Sequence, residues 1–196
     1  MGTQRSRLLL LPLLLTAMAP AACSSRNAAT SEPTVSARTE AHPEFDLGAH
    51  SWKVTGTPDA QRWFNHGQRW MYAFNHDEAV RAFTRATELD PSCAMAWWGI
   101  ALCKGPHINN PAMDEASCRA AWSALAKAQA CAASCTPVER ALIRALASRY
   151  ADPGAGPLPL DQASRAPLDR AYAEAMGDVH EQFPEHDEVA VVFEVP

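Results

Sequence analysis

The chain has 196 residues, of which 47% are hydrophobic, and a formal net charge of -5 at pH 7. This length allows one domain with a sizeable core once an N-terminal signal is removed. The acidic balance argues against a nucleic-acid partner, because proteins that bind nucleic acid present basic surfaces. The 6 cysteines are many for a cytoplasmic protein of this size and favour an oxidising compartment.

Residues 1–23 have the pattern of a bacterial secretory signal. Arg5 and Arg7 precede a leucine-rich run at 8–15, and small residues lead from there to Cys23. A basic start, a short apolar core and a small-residue end are typical of such signals. The apolar run is too short to remain as a membrane-spanning helix.

The end of this segment resembles a lipoprotein processing site. The sequence Ala-Ala-Cys ends at Cys23, although Pro20 stands where leucine is usual. The resemblance implies a lipid on Cys23, and Ser24 behind it implies the periplasmic side of the outer membrane. The alternative is ordinary signal cleavage near Ala21, which would give a soluble periplasmic or secreted protein.

Residues 24–57 are predicted to form a flexible tether. They are rich in Ser, Thr, Ala, Glu and Pro, and such a segment buries too little apolar surface to offset its ordering entropy. Phe45, Leu47, Trp52 and Val54 are the apolar exceptions, and we expect them to pack on the following domain as an N-terminal arm.

Residues 60–93 predict two helices joined by a short turn, at the start of a domain spanning 58–196. Small and aromatic residues recur at i, i+4 and i+7 on both helices, which places them on facing surfaces. The predicted core residues are Trp63, Gly67, Trp70, Ala79, Phe83 and Ala86. We expect Asp77 to cap the second helix and Pro91 to end it.

These residues carry a family resemblance. With Ala60 as the first position, the six core residues and Pro91 occupy the defining positions of a tetratricopeptide repeat (TPR), which the segment therefore resembles. His66 departs from the pattern, since leucine is usual there. The resemblance implies an all-α fold, in which helical hairpins stack into a right-handed solenoid.

Further repeats are expected at 94–135 and 136–186. In the second repeat Trp97 takes the core position that Trp63 takes in the first, and Asp114 starts a new helix after a long turn. In the third, Thr136 with Glu139 predicts a capping box, and the second helix is expected to resume near Pro167.

Residues 187–196 are predicted to be a partial fourth repeat. The β-branched run there favours a strand by propensity, whereas the repeat register favours a helix, which we prefer. An apolar, short end is unusual for a solenoid. One alternative is therefore that the chain is a fragment whose activity, for example a hydrolase, lies in a missing C-terminal region.

Two longer runs extend the resemblance. YAFNHDEAVRAF and LDPSCAMAWWGIALCKGPHIN are similar to a family of bacterial secreted or lipoprotein TPR proteins, over roughly residues 60–150. The resemblance implies an all-helical superhelix, and that family has no agreed biochemical activity. We predict a non-enzymatic scaffold or adaptor that binds a protein or peptide partner in the cell envelope.

The TPR register also predicts a partner-binding groove on the concave face. Its residues are Gln61, Phe64, Gln68, Met71, Tyr72, Met95, Trp98 and Leu102. Aromatic and Met residues are typical of protein-binding surfaces. The alternative is that the N-terminal arm or a neighbouring helix covers this patch. The Lys and Asn set with which chaperone-binding TPRs clamp a peptide carboxylate is missing, so that ligand is not predicted.

Two histidines support a weaker alternative. His76 and His107 lie in turns on the same edge of the predicted solenoid and are expected to approach one another. A metal- or haem-associated redox accessory protein could use them, although a metal site needs more ligands than two. Loop histidines without a metal or cofactor are the simpler interpretation.

The cysteines allow one disulfide hypothesis. Cys103 and Cys118 lie at similar distances from the long turn of the second repeat, so a bridge between them is geometrically possible. The alternative is that they are buried free thiols that serve as small apolar residues.

Overall fold

The computed structural model describes residues 46–194, and side chains as far as Val192. These residues form α-helices and no β-strand, which confirms the all-α class. The helices are α1 (Pro58–Tyr72), α2 (His76–Leu89), α3 (Ala94–Lys104), α4 (Glu115–Cys131), α5 (Pro137–Ala147), α6 (Gln162–Gln182) and α7 (Asp187–Glu194). The predicted signal, Cys23 and Phe45 lie outside this part of the chain. Within it, every helix is too short or too polar to cross a bilayer.

The first four helices pack in chain order, α1 on α2, α2 on α3 and α3 on α4. The ring of Phe83 on α2 lies between two glycines of the flanking helices. A Cβ atom added at Gly67 or at Gly99 would come within 2.7 or 2.8 Å of that ring. Ala79, Phe83 and Ala86 are fully buried, which confirms their predicted place in the core.

The predicted core tryptophans are not all enclosed. Trp70 is buried, but Trp63 and Trp97 are only partly buried and pack against the edge of the core. The indole of Trp97 donates to the carbonyl of Pro91 at 3.0 Å, and the ammonium of Lys127 lies 4.1 Å from its ring centre. Polar partners of this kind hold an indole at the surface.

His66, the departure from the TPR pattern, pairs with a tryptophan. Its Nε2 accepts a hydrogen bond from the indole N–H of Trp70 at 3.0 Å, and its ring meets Trp63 edge-on at 5.8 Å. A leucine at this position could not accept this bond, so the imidazole provides an acceptor for the indole N–H of Trp70.

The predicted start of α5 is confirmed, whereas the cap of α2 and the start of α6 differ from the prediction. The capping box of Thr136 and Glu139 is confirmed. Asn75 rather than Asp77 caps α2, because the Asn75 side chain accepts from the amide of Glu78. Helix α6 begins at Gln162, before the expected start near Pro167, since the side chain of Asp161 already caps it.

The C-terminal segment is the helix α7, as preferred above, rather than a strand. It packs on α6, and Val189 and Val192 are buried. Tyr172, Met176 and Val179 of α6 are buried as well. The C-terminal helices therefore belong to the same core as the first hairpins.

Candidate functional site

The segment 46–57, called the arm below, lies on the predicted groove of α1 and α3. Trp52 is 5% exposed and Val54 3% exposed, which confirms the expectation that they pack on the domain. The Trp52 ring meets Phe64 edge-on at 5.7 Å and Trp98 at 6.0 Å between ring centres. The rings of Phe64 and Trp98 form a socket in the middle of the groove, and the Trp52 side chain fills this socket.

The backbone of the arm pairs with a side-chain amide. The Nε2 of Gln61 donates to the carbonyl of Trp52 at 2.7 Å, and its Oε1 accepts from the amide of Val54 at 2.9 Å. The Oδ1 of Asn65 accepts from the amide of Trp52 at 3.3 Å. Gln61 thus meets an extended backbone as a neighbouring β-strand would, by one donor and one acceptor.

Two carboxylates hold the end of the arm. Glu139, only 1% exposed, accepts from the backbone amide of Thr55 at 2.6 Å and from its hydroxyl at 2.7 Å. Asp90 accepts from the amide of Thr57 at 2.8 Å. The hydroxyl of Ser92, together with that amide, holds the pKa of Asp90 below its usual value. These charge-assisted bonds fix the arm where it joins α1.

Helix α7 covers the groove beyond the arm. Glu188 accepts from the hydroxyl of Tyr72 at 2.9 Å and from the amide of Gln68 at 3.3 Å, and its other oxygen pairs with His50 of the arm at 2.9 Å. Burial, followed by the charge of Glu188, raises the pKa of Tyr72 well above its usual value. Tyr72 therefore stays a hydrogen-bond donor.

The groove is consequently not open over most of its length, and that part of the prediction is wrong. The enclosed residues are Phe64, Gln68, Met71, Met95 and Trp98. Gln61, Tyr72 and Leu102 are partly exposed. The arm and α7 of the chain itself fill most of the predicted groove, as in the alternative stated above, and Trp52, Val54, Val189 and Val192 are buried.

The two loop histidines do meet. The rings of His76 and His107 stack at 4.5 Å between centres, with 30° between their planes. Burial, and then the neighbouring His107, lower the pKa of His76, while Asp77 acts in the opposite direction. The backbone of His107 exchanges two hydrogen bonds with Asn110, which holds the turn that presents this imidazole.

Two cavities share the histidine pair as part of their walls. One, of about 480 Å³, is largely polar and is lined by Phe74, Asn75, His76, Asp77, Cys103, Lys104, Gly105, His107, Asn110, Ala112, Met113, Asp114 and Ser117. The other, of about 280 Å³, is largely apolar and is called the apolar cavity below. It is lined by Met71, Tyr72, Phe74, His76, Leu102, Cys103, Pro106, His107, Ile108, Arg149, Val191 and Val192.

The polar cavity does not assemble a metal-binding set. Over residues 46–194, His, Cys, Asp and Glu side chains nowhere form a group of three or more that could hold a metal ion. The metal or haem alternative therefore stays a hypothesis that rests on the two stacked imidazoles alone.

The predicted bridge between Cys103 and Cys118 is not formed. The five cysteines of the described region are free, and the Sγ of Cys118 instead faces the Sδ of Met113 at 3.8 Å. Burial raises the pKa of the Cys93 thiol to about 11. Burial raises the pKa of the Cys103 thiol further still. Such thiols stay protonated and behave as small apolar side chains, which was the stated alternative.

Sequence reasoning missed a pair of buried arginines beside the apolar cavity. Arg149 is 5% exposed and Arg165 is 1% exposed. Arg149 follows the end of α5, so the helical spacing of apolar residues does not predict its burial. Arg165 belongs to the first turns of α6. Nothing in their local sequence distinguishes them from surface arginines, because their burial depends on contacts between the two helices.

Comparison with protein-family models, with curated proteins and with solved structures found no match. Any account of the function must therefore come from the groove, the arm and the two cavities themselves.

Proposed function

We propose that this chain is a non-enzymatic, TPR-like helical-repeat scaffold that binds a protein or peptide partner as an extended segment in the cell envelope. Two features support the TPR-like reading. The consecutive hairpins pack in chain order, and Phe83 lies between glycines of the two neighbouring helices. Close approach of small residues to one large ring is the packing that the repeat pattern specifies.

The observation that carries the binding proposal is the arm itself. Its backbone is held by the two amide bonds of Gln61, and its Trp52 side chain enters the socket of Phe64 and Trp98. The groove therefore has the chemistry to hold an extended backbone with an aromatic anchor. Backbone pairing supplies affinity and the aromatic socket supplies selectivity, as in other modes of strand recognition.

A peptide of residues 46–57, added in trans, tests this proposal. The full chain with Trp52→Ala should release its own arm from the socket and bind the fluorescently labelled peptide, measured by fluorescence anisotropy. The wild-type chain should bind the same peptide at least about tenfold more weakly, because the tethered arm competes for the groove.

Matched controls separate groove binding from unspecific adhesion. The same peptide with alanine in place of its tryptophan should lose binding, and so should the wild-type peptide when Gln61→Leu is added to the Trp52→Ala chain. Equal binding of both peptides by a chain that circular dichroism shows to be folded would refute the proposal.

The envelope location has its own test. A lipid on Cys23 would place the full chain in the membrane fraction, and Cys23→Ala should move it to the soluble fraction. Cys131→Ala, at a partly exposed cysteine of the folded domain, is the control and should not change the fractionation. An unchanged distribution of the Cys23→Ala chain would mean that the segment is not a lipidation signal.

A metal-associated role is the second candidate, and the stacking of His76 on His107 is the observation that favours it. Metal analysis of the purified full chain decides the question. A genuine site should hold close to one equivalent, and less than about a tenth of an equivalent would remove this candidate.

A further inference from the structure

We infer that the apolar cavity is a binding site for a small apolar molecule that carries a carboxylate, and that Arg149 is the group that pairs with this carboxylate. The inference concerns a small-molecule site beside the groove and is independent of the peptide partner proposed above.

The first step is an imbalance of buried charge. The guanidinium groups of Arg149 and Arg165 share one carboxylate, that of Asp169. The Asp169 oxygen lies 3.3 Å from Arg165 and 3.6 Å from Arg149, and the side chain of Asp169 is 34% exposed. Two enclosed cations share one anion that is about one-third exposed, which leaves positive charge uncompensated, and an unpaired buried charge is costly.

The second step concerns the hydrogen bonds of Arg149. Its guanidinium stacks on the ring of Tyr172 at 4.7 Å, which supports the cation from one face without using its N–H donors. Its Nε is buried and makes no hydrogen bond in the described region, because its ion-pair partner, the Asp169 oxygen, lies 3.6 Å away. The nearby Arg165 donates to the backbone carbonyl of Arg149, so this contact satisfies Arg165 and not Arg149.

The third step is the position of Arg149, which is one of the residues that line the apolar cavity. A planar carboxylate is the natural partner of a guanidinium, because both oxygens can accept in parallel. A carboxylate placed in the cavity would supply the second negative charge that the two arginines lack.

The remaining walls define the rest of the ligand. Met71, Leu102, Pro106 and Val192 offer apolar surface, and the cavity volume of about 280 Å³ equals roughly nine water volumes. This space fits a hydrocarbon group of about eight carbons and does not favour a strongly hydrated anion such as phosphate. A few convergent polar groups in an otherwise apolar cavity are typical of small-molecule sites.

The mouth of the cavity gives access from solvent. Phe74 is 59% exposed, Ile108 77% and Val191 43%, and all three line the cavity. Exposed large apolar side chains around a cavity are suited to guide an apolar ligand inward. The arm contributes no residue to these walls, so filling of the groove and filling of the cavity are separate events.

Isothermal titration of the full chain with octanoate tests the inference, with octan-1-ol as the uncharged ligand of equal length. Wild-type protein should bind octanoate, and Arg149→Met should weaken that binding at least about tenfold while its affinity for octan-1-ol stays within about twofold. Arg144→Met is the matched control, because Arg144 is an exposed arginine on α5, the helix that ends just before Arg149. It should change neither affinity.

A second variant addresses the cavity without touching the charge. Leu102→Trp should fill the space and abolish binding of both ligands in a chain that keeps its melting temperature within a few degrees. Arg149→Met should fold as stably as wild type, because replacing an uncompensated buried cation by an apolar side chain is neutral or stabilising. Equal octanoate affinity of wild type and Arg149→Met, or of wild type and Leu102→Trp, would overturn the inference.

The carboxylate could belong to a free acid or to the end of a peptide, and a further arm distinguishes the two. N-acetyl-leucyl-leucine with a free carboxyl group is compared with its amide. Binding of octanoate but not of the peptide acid assigns the site to small acyl carboxylates, and binding of the peptide acid but not its amide assigns it to peptide ends. Failure of both acids to bind would refute the site, whatever the outcome for the groove.

Discussion

The two ends of the predicted groove differ in what fills them, although both are apolar. At one end Phe64 and Trp98 receive the arm, and at the other Met71 and Leu102 border an open cavity. The difference lies in the polar groups nearby. The filled end has amide and carboxylate side chains that pair with backbone N–H and C=O groups, whereas the open end has a guanidinium that shares its one carboxylate partner with a second arginine.

Apolar surface alone does not determine which occupant each end binds. Burial of apolar area drives association at both ends without direction. The buried donors and acceptors decide which segment fits, since each must be satisfied when water leaves. The backbone of the arm therefore occupies the end at which Gln61 and Glu139 pair with it. The end that contains Arg149 favours an anionic ligand.

The largest expected effect follows from emptying the filled end. Trp52→Ala should lower the free energy of unfolding by about 3–5 kcal/mol, because the domain loses the packing of a buried indole against Phe64 and Trp98. Phe74→Ala, at the exposed mouth of the open end, should change it by about 0.5 kcal/mol or less. Urea denaturation followed by circular dichroism measures both, and similar costs for the two variants would contradict the contrast.

Overpacking should show an intermediate effect. Ala86 is fully buried opposite the first helix, and Ala86→Leu should cost about 1–3 kcal/mol in unfolding free energy. Ala112, which is exposed in the wall of the polar cavity, provides the control, and Ala112→Leu should be nearly neutral. A neutral Ala86→Leu in the same denaturation experiment would show that the helix register of the first hairpin is wrong.

The smallest expected effect concerns pH. The pKa of His76 in the folded chain lies below its ordinary value, so near that ordinary value, about 6.5, the unfolded chain binds more protons than the folded one. Stability should therefore rise from pH 5.5 to pH 7.5 and level off above. His76→Gln should flatten this rise in melting temperature, a shift of a few degrees at most.

The charge of Asp77, next to His76, allows a second test of the pH dependence. Asp77 raises the pKa of His76, so Asp77→Asn should lower it further and make the rise of stability with pH steeper. An identical pH profile for wild type, His76→Gln and Asp77→Asn would show that the histidine pair does not contribute to the pH dependence.

The sequence predicted much of the helical frame because those features are local. The core of α2 and the start of α5 follow from spacing and capping within a few residues, whereas the helix α7 followed from the repeat register and against the local strand propensity. The approach of His76 to His107 also followed, since both turns lie on the same edge. Short-range patterns of this kind fix which face of a helix is buried.

What the sequence did not predict depends on distant partners. The TPR pattern placed Trp97 in the core and Trp98 in an open groove, whereas Trp98 is the enclosed residue because Trp52 packs on it. Thr55 meets Glu139 across 84 positions of sequence. No local pattern encodes such a contact, and the burial of Arg149 has the same origin.

The arm has a consequence for any external ligand of the groove. Thr57 ends the arm and also caps α1, so no linker separates the occupant from its site. A tethered segment of this kind acts as a competitor at a local concentration in the millimolar range or above. If the arm left the groove for about 1% of the time, an outside segment would bind about a hundredfold more weakly than its contacts alone would give. The groove would then not bind weak, abundant sequences. It would bind only a segment with a higher affinity than the arm, or any segment once the arm has been displaced.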